Sequence, residues 1–226
     1  MGSAFFDEWA ATYDETTRSR NFRAREQVFA EAASLARGRA GAQAVCVDLG
    51  VGTGTLSSMF VSLGFQLIGC DSSPEMLKAA AERVPSAELQ VADAAQFVAS
   101  LPAASADFVS CSSVFEYLAD PVAVVSGVGP LLREGGIFAV SLPERLSLSR
   151  LLAGLLARGA RRERRCESHW GNKLSGAELE AAAARASLRL LYRRRFGSLG
   201  YRGVRIPFES HRPIATLCLY AFERVA

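Results

Sequence analysis

The chain of 226 residues is half hydrophobic and carries 26 basic against 23 acidic side chains, a net charge of +3. This excludes a chain that is disordered or fibrous over most of its length, and it leaves no overall field strong enough to collect nucleic acid. A single domain over 1–226 is expected, with a core large enough to stand without disulfide or metal staples.

The opening residues MGSAFFDEWAATYDE are acidic where an export signal would be basic and then apolar. The uncharged apolar stretch Leu56 to Cys70 is too short and too interrupted by glycine to cross a bilayer. A cytoplasmic protein with no membrane partner is expected, and no surface in the sequence marks an oligomer. The five cysteines are an odd number, contain no CxxC pair, and include Cys46, Cys70 and Cys111 inside apolar runs. Buried free thiols and no metal site are the expectation.

Hydrophobic periodicity gives the elements in chain order. Phe22–Arg37 reads as a helix with an apolar face of Val28, Phe29, Ala32, Ala33 and Leu35. Ala44–Leu49 is a short β-rich run that ends in glycines, and Thr55–Leu63 follows as a helix. The alternation recurs with a strand at Gln66–Cys70, a helix at Pro74–Arg83 opened by Ser73 and Pro74, and a strand at Glu88–Val91. Asp107–Cys111 is a further strand, Val122–Leu132 a helix and Gly136–Leu142 a strand. Strands alternating with helices predict an α/β, doubly wound sheet, mostly parallel, with helices on both faces.

After Pro143 the texture changes. Ser147–Ala157 reads as a helix, Arg158–Trp170 is basic, and Gly176–Ala186 is an alanine-rich helix. Leu188–Phe196 and Ile214–Arg224 read as two strands of an antiparallel hairpin at the sheet edge. The domain therefore divides into an N-terminal helical segment (1–40), a core of alternating strands and helices (41–143), an insertion with the character of a pocket cover (144–175) and a C-terminal helix with its strand hairpin (176–226). The clusters Arg161, Arg162, Arg164, Arg165 and Arg193, Arg194, Arg195 are read first as solvated faces, with phosphate or carboxylate binding as the alternative.

The most informative stretch is VCVDLGVGTGTL, Val45–Leu56, where Gly50, Gly52 and Gly54 follow a strand and lead into a helix. Glycine suits a turn of positive φ and lets a ligand approach the backbone. The spacing GxGxG puts Thr55 where a dinucleotide fingerprint has its last glycine, which weakens an NAD(P) reading. Asp71 ends the second strand about twenty residues on, where a carboxylate can accept from both hydroxyls of a ribose. Asp93 ends the third strand, where a carboxylate can accept from an adenine amino group.

In VDLGVGTGTL, CDSSPEML, VADAAQF, SCSSVFEYLADP and LREGGIFAVSLP the chain resembles the class I S-adenosylmethionine-dependent methyltransferases over roughly Phe6 to Pro143. The resemblance implies a Rossmann-like seven-stranded sheet with one antiparallel strand near the edge. It implies S-adenosylmethionine as cofactor and S-adenosylhomocysteine as product. Asp48 would organise the glycine turn, Asp71 hold the ribose, Ser72 and Met76 border the adenine, and Asp93 with Ala94 read its edge. FFDEWAATYD looks like the family segment that folds over the cofactor, with Tyr13 approaching its methionine portion. Ser112–Tyr117 occupies the place beside the transferred methyl, with Ser112 on the cofactor side.

Many family members have His where this chain has Glu116 or Tyr117. Glu116, Tyr117 and His169 are the candidate catalytic residues, and Phe5, Trp9, Phe115, Trp170 and Phe208 the candidate apolar wall of an acceptor pocket. His211 is read as structural. The expected reaction is methyl transfer to a small molecule, with oxygen (phenol, hydroxyl or carboxylate) as acceptor, or nitrogen or carbon in its place. An anionic or carrier-tethered acceptor would suit the Arg clusters. RNA methylation, an NAD(P)-dependent oxidoreductase and a cofactor-binding protein without turnover are the alternatives.

Overall fold

Apolar residues at successive positions of the central strands divide between two cores, one on each face of a sheet. Phe108, Ile137 and Ala139 join Phe29, Ala32, Ala33 and Phe60 on one face, while Val109, Phe138 and Val140 join Phe97, Val125 and Leu179 on the other. That two-residue alternation is the geometry of a strand covered by helices on both sides.

The computed structural model describes residues 3–17, 20–144, 174–196, 200–201, 204–205 and 217–226. Two helices, α1 (Ser3–Thr17) and α2 (Arg20–Arg39), precede β1 (Ala44–Leu49), α3 (Thr55–Ser62), β2 (Phe65–Asp71) and α4 (Pro74–Arg83). Then come β3 (Glu88–Val91), α5 (Ala94–Ser100), β4 (Ala106–Cys111), a 3-10 turn at Phe115–Tyr117, α6 (Pro121–Leu131) and β5 (Leu132–Pro143). The remaining elements are α7 (Gly176–Arg185), β6 (Leu188–Phe196), the two-residue strands β7 (Gly200–Tyr201) and β8 (Val204–Arg205), and β9 (Leu217–Arg224).

The main sheet has seven strands in the order β3-β2-β1-β4-β5-β9-β6. Strands β1 to β5 are parallel, and β9 runs antiparallel to both of its neighbours. The expected doubly wound sheet with one antiparallel strand near the edge is therefore present. The chain winds outward from β1 to β3 on one side and from β4 to β5 on the other, so the direction of winding reverses between β1 and β4. Loops that leave the carboxyl ends of those two strands flank an open crevice. Among the described residues no helix is long and apolar enough to cross a membrane.

Three details differ from the sequence expectation. A helix absent from it, α5, fills the connection after β3, its N-terminus capped by the Asp93 carboxylate, which accepts from the Ala95 amide at 2.9 Å. Strand β5 begins at Leu132, with a register shift between Ala106 and Phe108 on its neighbour. On α2 the buried face ends on Ala36 instead of Leu35, whose side chain is exposed. The four described cysteines, Cys46, Cys70, Cys111 and Cys218, are all free and buried, as the sequence suggested.

Arg193, Arg194 and Arg195 are each committed to a partner from a different segment: Glu180 on α7, Glu31 on α2 and Glu144 after β5. This cluster joins β6 to its surroundings and presents no common basic surface. The helix expected at Ser147–Ala157, the basic stretch Arg158–Trp170 with the Arg161–Arg165 cluster, and His169, Trp170, Phe208 and His211 lie outside the described residues.

Candidate functional site

The site is built at the carboxyl ends of β1, β2 and β4. After β1 the chain turns through Gly50, Gly52 and Gly54 with φ of 76°, 55° and 79°, all in the left-handed region that glycine enters without Cβ strain. The turn is closed by the amides of Gly50 and Val51, which both donate to the Cys70 carbonyl on β2, at 2.8 and 3.0 Å. The glycines serve different ends. A Cβ on Gly50 would come within 2.2 Å of Val114 Cγ2, so its absence lets the segment after β4 close against the turn. A Cβ on Gly52 would meet nothing within 4 Å, and its bare backbone faces open space.

Asp71, at the end of β2, receives the turn. One carboxylate oxygen accepts from the Gly52 amide at 2.8 Å and the other from the Ser73 amide at 2.9 Å. A carboxylate has about four acceptor positions, so these two bonds do not exhaust it. Burial raises the carboxyl above its ordinary value, and the amides of Ser73, Gly52 and Ser72 oppose that shift by binding the charged form. Ser73 caps α4 through the Met76 amide at 3.1 Å, which leaves Asp71 without a capping duty. Ser72 is exposed at the lip, while Met76 is buried in the first turn of α4.

Asp48 lies beneath the turn, 2% exposed, and accepts from Ser57 Oγ on α3 at 2.6 Å. Burial pushes its carboxyl up to about 6, offset in part by the Ser57 and Ser110 hydroxyls, with the nearby Asp71 charge adding a small further rise. It thereby fixes the end of β1 to the start of α3. At the end of β3, exposed Asp93 spends one oxygen on the α5 cap, and Ala94 behind it is buried.

Helix α1 covers this crevice. Asp7 accepts from Ser73 Oγ at 2.5 Å, and Asp14 accepts from Thr53 Oγ1 at 2.6 Å and pairs with Arg83. Its aromatic residues form a chain in which Phe5, Phe6 and Trp9, Tyr13 meet at ring separations of 4.9 to 5.6 Å. Phe6 packs edge-on against Tyr117 at 5.2 Å, so the lid and the turn after β4 share one aromatic wall.

After β4, Ser113 is held at φ 56°, a left-handed conformation that an L side chain adopts only under constraint, and its amide donates to Ser141 Oγ at 2.9 Å. The hydroxyls of Ser112 and Ser113 are buried without a hydrogen-bond partner among the described residues. Glu116 is buried, 7% exposed. Phe115 has no exposed surface and packs on Phe138, so its ring belongs to the core instead of an open wall.

The structure thus brings together Tyr13, Asp48, Gly50, Gly52, Gly54, Asp71, Ser72, Met76, Ser112, Glu116 and Tyr117 around the crevice, with Asp93 and Ala94 at its β3 end. Sequence reasoning did not find Asp7, Asp14, Thr53 and Arg83. The available signal was the spacing of Asp7 and Asp14, which places two carboxylates on one helical face.

These residues suit a nucleoside ligand. Asp71 can accept from a sugar hydroxyl, the bare Gly52 backbone admits close approach, and the Ser112 hydroxyl is a buried donor without a partner among the described residues. No group of three or more His, Cys, Asp or Glu among the described residues has the arrangement of a metal site.

Residues 47–140 match the family model described as a methyltransferase domain. Trans-aconitate 2-methyltransferase of Methylobacterium radiotolerans is 32% identical over 130 residues, which cover 55% of this chain and 48% of that protein. Ubiquinone biosynthesis O-methyltransferase of Xanthomonas oryzae pv. oryzae is 32% identical over 148 residues, covering 64% and 62%. The chain spans about half to two thirds of the length of these curated relatives. Among solved structures, N-methyltransferase NodS from Bradyrhizobium japonicum in complex with S-adenosyl-l-homocysteine superposes with a TM-score of 0.68 at 15% identity, covering 98% of this chain and 97% of that one. It shares the fold.

Proposed function

We propose that residues 47–140, which match the methyltransferase-domain model, form a class I S-adenosylmethionine-dependent methyltransferase domain, and that this protein methylates a small-molecule acceptor, most readily at oxygen. The observation that carries the reading is the joined pair of Gly52 and Asp71 beside the winding reversal: an open, bare backbone next to a carboxylate at a strand end. S-adenosylmethionine supplies a methyl group on a sulfonium, which leaves as a neutral thioether.

The chain's own residues then bind, orient and exclude water. Asp71 holds the ribose hydroxyls, Asp93 and Ala94 border the adenine edge with Ser72 and Met76, and Tyr13 approaches the methionine portion. Asp48 keeps the glycine turn in place through Ser57. Helix α1 closes over the crevice, and the aromatic wall of Phe5, Trp9 and Tyr117 receives an apolar or planar acceptor. Holding both partners in line accounts for roughly 7 to 11 kcal/mol of barrier in well-oriented reactions. A hydroxyl acceptor also has to lose a proton, for which Glu116, in the turn after β4, is the first candidate and His169 the second. A carboxylate acceptor needs no base.

The named relatives act on a tricarboxylic acid and in ubiquinone biosynthesis, which supports acceptors bearing a carboxylate or a phenolic hydroxyl. The pairing of Arg193, Arg194 and Arg195 with glutamates removes one of the two basic clusters that favoured RNA or an acidic carrier. Calorimetric titration with S-adenosylhomocysteine, with NADH and NADPH as controls, tests the cofactor. Micromolar binding of S-adenosylhomocysteine alone is expected, followed by turnover of unsaturated carboxylic acids or phenols. Binding of NADH or NADPH in its place overturns the reading.

A further inference from the structure

Helix α1 is fastened to the crevice by two carboxylates two turns apart, and the second fastening has an unusual partner. Arg83, the last residue of α4, donates from Nη1 to the Thr53 carbonyl at 2.5 Å, to Thr55 Oγ1 at 2.8 Å and to Thr53 Oγ1 at 3.1 Å. Its Nη2 meets Asp14 of α1. Thr53 Oγ1 donates in turn to the other oxygen of Asp14, at 2.6 Å. One planar guanidinium therefore joins the lid, the glycine turn, the start of α3 and the end of α4.

Thr53 stands between Gly52 and Gly54, where the backbone has the widest conformational freedom. Arg83 removes that freedom by holding the Thr53 carbonyl and hydroxyl together. The same side chain ties the turn to the lid, so a movement of one is felt by the other. Its side chain is 34% exposed, so it is not a core residue whose loss would simply open a cavity.

We propose that Arg83 is a positioning residue for the cofactor: it locks α1 onto the glycine turn, so that bound nucleoside leaves only when the Arg83–Asp14 pair opens. This rests on the S-adenosylmethionine reading of the turn. Lysine keeps the charge but lacks the planar fork, so it can hold Asp14 or Thr53 but not both with the same geometry.

The test is S-adenosylhomocysteine dissociation by stopped flow, followed through Trp9 in a Trp170→Phe background. Arg83→Ala and Asp14→Asn are each expected to speed dissociation about tenfold, the loss of one charge-assisted hydrogen bond, with association changed less than about twofold. Arg83→Lys should fall between. The double variant should dissociate no more than about twofold faster than either single one, since both break the same lock. Unchanged dissociation rates, or effects that multiply, overturn the proposal.

Amide hydrogen exchange of the ligand-free protein separates this from the cofactor assignment. Arg83→Ala should speed exchange in residues 4–14 and leave β1 and β4 unchanged. Faster exchange there in a protein that does not bind S-adenosylhomocysteine overturns the cofactor assignment and keeps the lock. Unaltered exchange overturns the lock itself.

Discussion

The Gly52 amide donates to the Asp71 carboxylate at 2.8 Å across 19 residues of chain, so the glycine turn and the acid at the end of β2 form one unit. Loss of the acid therefore acts twice, on the ligand and on the loop that receives it. Asp71→Ala is expected to weaken S-adenosylhomocysteine binding by roughly 10- to 100-fold, about 1.5 to 3 kcal/mol of charge-assisted hydrogen bonding. Isothermal titration at one pH and ionic strength checks this, and an unchanged Kd would remove Asp71 from the site.

The glycines of the turn should respond differently to the same methyl group. Gly52→Ala meets open space and costs the folded protein only the strain of a left-handed alanine, about 1 to 2 kcal/mol. Its larger effect should be on cofactor affinity, because the methyl enters the crevice. Gly50→Ala drives a carbon into Val114 at 2.2 Å and should destabilise the fold by more than about 2 kcal/mol. Chemical denaturation paired with ligand titration on both variants distinguishes the two roles.

Asp48 makes stability depend on pH in a stated direction. Its carboxyl is raised from 3.8 to about 6 by burial, so the folded state holds this proton more tightly than the unfolded chain does. The unfavourable burial of its charge is absent below about pH 4, grows as pH rises through 4 to 6, and is complete above 6. The range corresponds to about 3 kcal/mol. Asp48→Asn should therefore compare more favourably with the parent at pH 7 than at pH 4.5 in urea unfolding. A difference that stays constant with pH would count against this environment for Asp48.

Glu116 is the test of base assistance. Glu116→Gln keeps the shape and removes proton acceptance, so turnover of a hydroxyl acceptor should fall by roughly 10²- to 10⁴-fold while the Kd for S-adenosylhomocysteine stays unchanged. Restored turnover with an acceptor that is already ionised would complete the assignment. A parallel loss of cofactor affinity would make Glu116 a structural residue, and His169→Ala would then be the variant to follow.

The elements that could be read from sequence are those whose information is local. The glycine turn, the Ser73-Pro74 opening of α4 and the apolar strands each announce themselves within a few residues, and together they are enough to place Asp71 and Asp93 at strand ends. Helix α5 escaped because AAQFVAS is only two turns long and its cap, Asp93, had already been assigned to a ligand. The partners of Arg193, Arg194 and Arg195 lie 13, 163 and 51 residues away, and Asp14 lies 69 residues from Arg83, so no window of sequence contains them. The same holds for Ser113, whose left-handed backbone is fixed by a hydroxyl 28 residues on.

The place of β9 has a consequence for how the chain is assembled. This strand follows every other strand in sequence, yet it lies inside the sheet, between β5 and β6. As the chain leaves the ribosome, β1 to β5 can pair among themselves and set the glycine turn against Asp71. Among the described residues, β6 and the outer flank of β5 pair only with β9, so both wait for residues 217–224 to emerge. The half that carries the glycine turn is thus complete before the sheet is, and a nascent chain halted short of β9 would carry a formed turn beside an open, adhesive β5 edge.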